Sequence, residues 1–408
     1  MNTYRPGTVY GMSNVNQTHH MAPSMSRPVQ KSQPSPQPQL ERAINYFADY
    51  SGCGYWRMIW PEQILTAYQN MIVQGSTCMI RDKAFYGNIK SIRLQRQASP
   101  SQLQFYKEMR KMADDIGFRL IYEIDDIVLH EDIPDYNKYK FAFESKETRD
   151  SIIEMMNISD EISCTCDYMK QYFLDKTNNK NVTVIPNYPP RFWLDGFYDE
   201  NLLMRNYDRH VKKKRRPRVL YAGSGAHFDV DNKTGQQDDF AHVRDVIRKT
   251  SNKIQWVFLG AFPPVLHDLV RSGKIEFHQW KPMYDLPRFI QSLKVNCMVA
   301  PLIDNTFNRC KSDIKYIEAC AHGLPVVCQD MITYQQSEYK FDTGDDMIDQ
   351  INSILKDKQQ YMKACRRARQ YINDKWLELP DNINKYKELY TTSYGDQNRE
   401  LINKLNNI

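Results

Sequence analysis

Short apolar runs recur along this 408-residue chain, each followed by a stretch of helical spacing, and that alternation constrains the fold more than any other feature. In the second half the runs are 218–223 (RVLYAG), 254–260 (IQWVFLG), 275–278, 295–301 (VNCMVAP) and 325–328 (PVVC), with helices expected over 238–250 and 285–293. Short runs without polar alternation suit strands buried on both faces, as in parallel sheets covered by helices. The first half repeats the pattern. A strand is expected at 44–50, then a helix through about Gln74, strands at 77–81 and 89–95, a helix at 101–116, and strands at 118–123 and 181–187. Two such series predict an α/β chain with two Rossmann-like domains.

The boundaries follow from composition. Residues 1–39 are rich in Pro, Gln, Ser and Asn, lack apolar periodicity, and are expected to be a disordered tail. A first domain over 40–190, a basic linker over 191–217, a second domain over 218–375 and a helical segment over 376–408 complete the division, and Tyr386 to Tyr394 could cross back onto the first domain. No run approaches the roughly 20 apolar residues that span a bilayer, and no apolar leader is present, so a cytoplasmic protein without membrane insertion is expected. The nine cysteines are odd in number and scattered, which fits reduced thiols. Cys164-Thr-Cys166 is too little for zinc, and His19-His20 stands alone.

The segment 311–327 carries the most chemistry. Ser312 is a suitable N-cap, Gly323 fits the position past the helix end, and Pro325 prevents continuation. Ile314, Ile317 and Ala321 form an apolar stripe, while Lys311, Lys315 and Glu318 line a different face. Free N–H groups and two lysines favour an anion, and Glu318 could accept hydrogen bonds from a ribose diol. The competing reading is an ordinary solvated helix face.

Other candidates sit at strand ends. Gly52 and Gly54 flank a turn after the first strand, where the backbone can approach a ligand or simply turn, and Arg57 follows as a phosphate or acceptor contact. Asp125 and Asp126 end the strand at 118–123, and either could act as a base, cap a helix, pair with an arginine or face solvent. Gly223, Ser224 and His227 open the second domain and could meet a diphosphate. The run Lys212, Lys213, Lys214, Arg215 and Arg216, with Arg209, His210 and Arg218 around it, is the densest positive charge in a chain of net charge +6. It suits double-stranded DNA or a solvated linker, and Lys90, Arg93 and Arg96 could extend the same surface.

The pair Glu318-Ala319 followed by Gly323-Leu-Pro-Val-Val327 resembles the donor-nucleotide half of GT-B glycosyltransferases. The resemblance implies two Rossmann-like domains whose parallel sheets face each other across a cleft, with a UDP-sugar as donor. It also implies no required cofactor: a divalent metal is possible, but a helix N-terminus and cations can offset the diphosphate charge. Many retaining members carry a glutamate eight residues before the position of Glu318. Cys310 stands there, so retention or inversion stays open. A rival reading takes Glu123-x-Asp125 as a metal-holding pair of the GT-A type.

The Asn-, Lys- and Tyr-rich texture resembles the GT-B enzymes of T-even-like bacteriophages. That resemblance implies transfer of glucose or arabinose to 5-hydroxymethylcytosine in DNA, with Asp125 or Asp126 as base, in the host cytoplasm. The alternatives are a GT-B enzyme acting on a surface glycan or lipid-linked acceptor, a non-catalytic nucleic-acid-binding phage protein, and a structural phage protein. Oligomeric state stays open.

Overall fold

A computed structural model describes residues 40–213 and 215–392. The expectations for the 1–39 tail, Lys214 and the end of the C-terminal segment fall outside the described residues. From Leu40 onward the described chain belongs to one compact unit.

The apolar runs pair into two six-stranded sheets. The first contains β1 (Glu41–Tyr46), β2 (Met71–Ser76), β3 (Ser91–Gln95), β4 (Arg119–Glu123), β5 (Glu161–Cys164) and β6 (Val182–Val184), in the order β2-β1-β3-β4-β5-β6. The second contains β7 (Arg218–Gly223), β8 (Gln255–Gly260), β9 (Glu276–His278), β10 (Cys297–Ala300), β11 (Val326–Gln329) and β12 (Tyr339–Phe341), in the order β12-β11-β10-β7-β8-β9. All pairings are parallel. The order reverses between β1 and β3 in one sheet and between β7 and β10 in the other. In such sheets, ligands bind beyond the carboxyl ends of the strands at that reversal.

Several elements differ from expectation for local reasons. The first long helix ends at Tyr68, not Gln74, because Asn70 turns with φ 53° and Thr66 Oγ1 accepts the Val73 N–H at 3.1 Å. The second strand is therefore 71–76 rather than 77–81. The short strands β5 and β12 were not anticipated. Their four and three residues leave too little pattern to read. The helix expected from 238 begins only at Arg244, because Asp238 and Asp239 turn inward as hydrogen-bond acceptors. The stretch read as linker contains a helix, Glu200–Tyr207, whose Tyr207 ring stacks on Tyr361 with centroids 5.1 Å apart.

The last described helix, Pro380–Thr391, packs on the first domain. Tyr390 donates to Asn45 Oδ1 at 2.6 Å, and Arg119 donates to the carbonyls of Leu389 and Thr392 at 2.9 and 2.8 Å.

Beneath the cleft lies a buried charge cluster. Glu123, Arg57 and Arg93 are all fully buried. Glu123 accepts Arg57 Nε at 2.6 Å on one oxygen, and Arg93 and Ser163 on the other. Arg57 also donates to Ile185 O at 2.6 Å and Asn187 Oδ1 at 3.0 Å. Three expectations are corrected here. Arg57 is not a phosphate or acceptor contact, because its donors are consumed inside the sheet. Arg93 does not extend a positive surface, for the same reason. Glu123 cannot join Asp125 around a metal, because both of its oxygens hold cationic partners.

The helix Ile314–Ala321 ends as its sequence suggests. Gly323 has φ +66°, its N–H bonds Cys320 O at 2.9 Å, and Leu324 N–H bonds Ala319 O at 3.0 Å. This is the paired closure that favours glycine past a helix end. A Cβ at Gly323 would also lie 2.4 Å from Tyr198 Cε2. Gly323→Ala is expected to destabilise the second domain by about 1–2 kcal/mol from the left-handed backbone alone, with the Tyr198 clash adding to it. A lowered urea midpoint at unchanged slope is the expected observation.

Candidate functional site

Three strand ends and one helix converge on a cavity of about 230 Å³ between the sheets. From the second domain come Gly223, Ser224 and His227 after β7, and Lys311, Ser312, Lys315 and Glu318 around the start of the 314–321 helix. From the first come Gly52 after β1, and Asp125 and Asp126 after β4. These ten sequence candidates line one cavity although they are spread over 267 positions, from Gly52 to Glu318. Parallel strands explain this, since every βα loop that carries a candidate leaves its sheet on the same edge.

Gly54 does not line the cavity. A Cβ there would sit 1.9 Å from Asp49 O, so this glycine permits close backbone packing instead. Ser312 lines it but is not the N-cap. The helix starts at Ile314 with Asp313 in the capping position, and Ser312 Oγ accepts Asn187 Nδ2 at 2.8 Å. That bond joins the end of the first domain to the segment that leads into the 314–321 helix. Asp313 faces the other way, accepting Tyr371 OH at 2.8 Å and Gln336 Nε2 at 3.0 Å.

The second-domain side is organised by a chain of hydrogen bonds. Asp239 Oδ1 accepts Tyr136 OH at 2.8 Å, Asn308 Nδ2 at 2.6 Å and the Ile303 N–H at 3.0 Å. Its Oδ2 lies 2.5 Å from His227 Nδ1. Facing a carboxylate, Nδ1 carries the proton, which leaves the Nε2 lone pair to accept from Lys315 Nζ at 3.1 Å. Burial and the Lys315 ammonium push His227 down to about 4, against the opposing pull of Asp239, so the ring is neutral at pH 7. Lys315 is lowered to about 8, by burial first and then by Lys311. Glu318 is raised to about 7 by burial, partly offset by Lys315. Tyr136 belongs to the first domain, so this chain crosses the cleft.

On the first-domain side, burial alone would raise Asp125. The Arg96 guanidinium, 2.5 Å away, outweighs it and holds the carboxyl below its ordinary range. Arg96 therefore faces the cavity rather than an outer positive surface, and of the three cations expected there only Lys90 is exposed. Asp126 is held more loosely, with Lys311 Nζ 3.3 Å away and about a quarter of its side chain exposed. Lys311 also lies over the Phe307 ring at 4.2 Å.

The basic run lies elsewhere. Lys212, Lys213 and Arg215 are exposed, while Arg216 donates to Ser251 O at 2.8 Å and Arg218 pairs with Glu276 at 2.8 Å. The run enters β7 at its amino end. The cavity is at the carboxyl end, roughly 17 Å along the strand at about 3.3 Å per residue. The run therefore does not border the cavity.

Sequence reasoning did not single out Asp239, Tyr136, Asn308 or Asn187. Their roles arise from partners between 12 and 172 positions away, and no local spacing signals such pairs. Among the described residues, no helix is long and apolar enough to cross a membrane, and no group of three or more His, Cys, Asp or Glu is placed to hold a metal ion.

No protein-family model matches the chain, and no curated protein does. Solved structures do. A TarM mutant from S. aureus, in complex with fondaparinux, alpha-GlcNAc-glycerol and UDP, matches with a TM-score of 0.50 and 13% identity over 77% of this chain. The present chain spans 57% of that protein's length. A glycosyltransferase from Rickettsia africae ESF-5 matches with a TM-score of 0.56 and 12% identity, over 87% of this chain and 100% of that one. At such identities the likeness is one of fold. Two parallel six-stranded sheets facing each other across a cleft form the GT-B architecture, as the sequence led us to expect.

Proposed function

We propose that this protein is a glycosyltransferase that takes its sugar from a UDP-sugar and passes it to a hydroxyl presented by the first domain. One observation carries the reading. Two lysines, a carboxylate and a glycine-containing loop meet at the strand reversal of the second sheet, directly across from two aspartates of the first. Lys311 and Lys315 hold the diphosphate and offset the charge that builds on it as the sugar leaves. Glu318 accepts hydrogen bonds from the ribose. UDP in the TarM crystal supports a uridine nucleotide.

Donor binding draws Lys311 toward phosphate and away from Asp126, which frees that carboxylate to orient the acceptor hydroxyl. Asp125, locked by Arg96, stays ionised and is the poorer base of the two. Transfer of labelled glucose, arabinose and other sugars from their UDP forms tests the reading and names the sugar. UDP release supports it, and failure to bind any UDP-sugar by calorimetry overturns it.

The lowered Lys315 gives a pH signature. Its ammonium is the active form, and in the free enzyme it is lost as pH rises through about 8. The expected kcat/KM profile falls above pH 8, and Lys315→Arg, which stays charged, is expected to remove that falling limb even at reduced activity.

A second reading places 5-hydroxymethylcytosine DNA as acceptor. The exposed cations Lys212, Lys213 and Arg215 favour a polyanion. Label on hydroxymethylated DNA, with none on unmodified DNA, would establish it. DNA binding with no sugar-nucleotide turnover would favour a binding protein instead.

A further inference from the structure

A groove of about 850 Å³, which shares no lining residue with the donor cavity, is left unused by the proposed reaction. Its walls come from both domains. Tyr68 ends the helical stretch that begins at Gly52 in the cleft, and Tyr284 follows Met283 of the cavity wall. Phe192, from the crossover between domains, stacks on Tyr284 with centroids 5.4 Å apart and planes at 29°. Tyr68 is 70% exposed and Tyr284 48%. Aromatic faces grouped around one groove form a contiguous patch, which marks interaction sites more than scattered single rings do.

The rim decides what chemistry fits. Arg191 and Arg288 are outnumbered by Asp195, Asp285 and Glu378, so a polyphosphate would meet net repulsion. Among the described residues, Asp285 and Arg288 have no side-chain partner. Flat rings beside forked carboxylates and guanidiniums match a neutral saccharide. Its C–H faces can lie on the rings while its hydroxyls bond to the charged groups. The helical stretch from Gly52 to Tyr68 rises about 24 Å at 1.5 Å per residue, which places the far wall several sugar units from the cleft.

We propose that this groove binds the distal units of a neutral oligosaccharide acceptor whose terminal hydroxyl is presented at Asp126. The proposal rests on the glycosyltransferase reading above and assigns its acceptor class. It is tested with malto-, cello-, xylo- and chito-oligosaccharides of two and six units, on wild type, Tyr68→Ala and Arg288→Ala. Neither variant touches the donor cavity, and UDP-sugar hydrolysis without acceptor serves as the independent control.

Wild type is expected to show a KM at least 10-fold lower for one hexasaccharide than for its disaccharide. Both variants are expected to lose that difference while hydrolysis stays unchanged. Hydrolysis with no length dependence in any series, or with label only on hydroxymethylated DNA, overturns the groove and keeps the donor reading. Calorimetric binding of a hexasaccharide that Tyr68→Ala abolishes, with no UDP-sugar turnover, keeps the groove and removes the donor reading. Absence of saccharide binding at millimolar concentration overturns the groove.

Discussion

Lys315→Ala is expected to lower kcat about 10²–10³-fold at saturating UDP-sugar, the range for loss of one preorganised group facing developing charge. The size of the effect follows from how the side chain is held. Lys315 cannot swing away from the proposed diphosphate site, because its Nζ is fixed at 3.1 Å by His227, which is in turn fixed at 2.5 Å by Asp239. A charge already in place costs no reorganisation when the sugar departs. Lys311 is shared with Asp126 and the Phe307 ring, so Lys311→Ala is expected to cost less. The fold should tolerate the change, since His227 is neutral and keeps its bond to Asp239. Wild-type turnover by Lys315→Ala, measured with UDP release, would remove the proposed donor site.

Glu123→Gln is expected to destabilise the protein by about 3–5 kcal/mol, the range for a buried ion pair that loses one partner. Two guanidiniums, both fully buried, would share a neutral amide where a carboxylate now stands. Neither can reach water, and Arg57 is also tied to Ile185 O and Asn187. Because Asn187 bonds Ser312, the loosened cluster would also disturb the seam between the domains. Urea denaturation checks this, with Glu108→Gln as a control. Glu108 pairs with Arg81 at 3.6 Å on the surface, and its loss should leave the midpoint unmoved. A Glu123→Gln midpoint equal to wild type would show that the buried cluster carries no net stability.

Much of the site was legible because its residues follow the carboxyl ends of apolar runs. Reading 218–223 as a strand already placed Gly223 to His227 at the ligand edge, and reading 295–301 as another did the same for Lys311 and Lys315. Arg57 misled for a physical reason. An arginine just after a glycine turn looks the same in sequence whether it meets a phosphate or a carboxylate 66 positions away. The basic run misled differently. Its charge is evident, but only the direction of β7 reveals which end of the sheet it occupies.

Local pattern was enough to read the two βα series, the helix end at Gly323 and the set of loops that can carry chemistry, because each depends on periodicity or on backbone preferences within a few residues. Tertiary structure decided which charges are spent and which are free. Glu123 and Asp125 are two positions apart, yet one is sealed between two arginines inside the sheet and the other faces the cavity. Asp239, Tyr136 and Asn308 acquired roles only when two domains closed around one carboxylate. Burial and pairing depend on what folds against a residue from far along the chain, and local pattern holds no record of it.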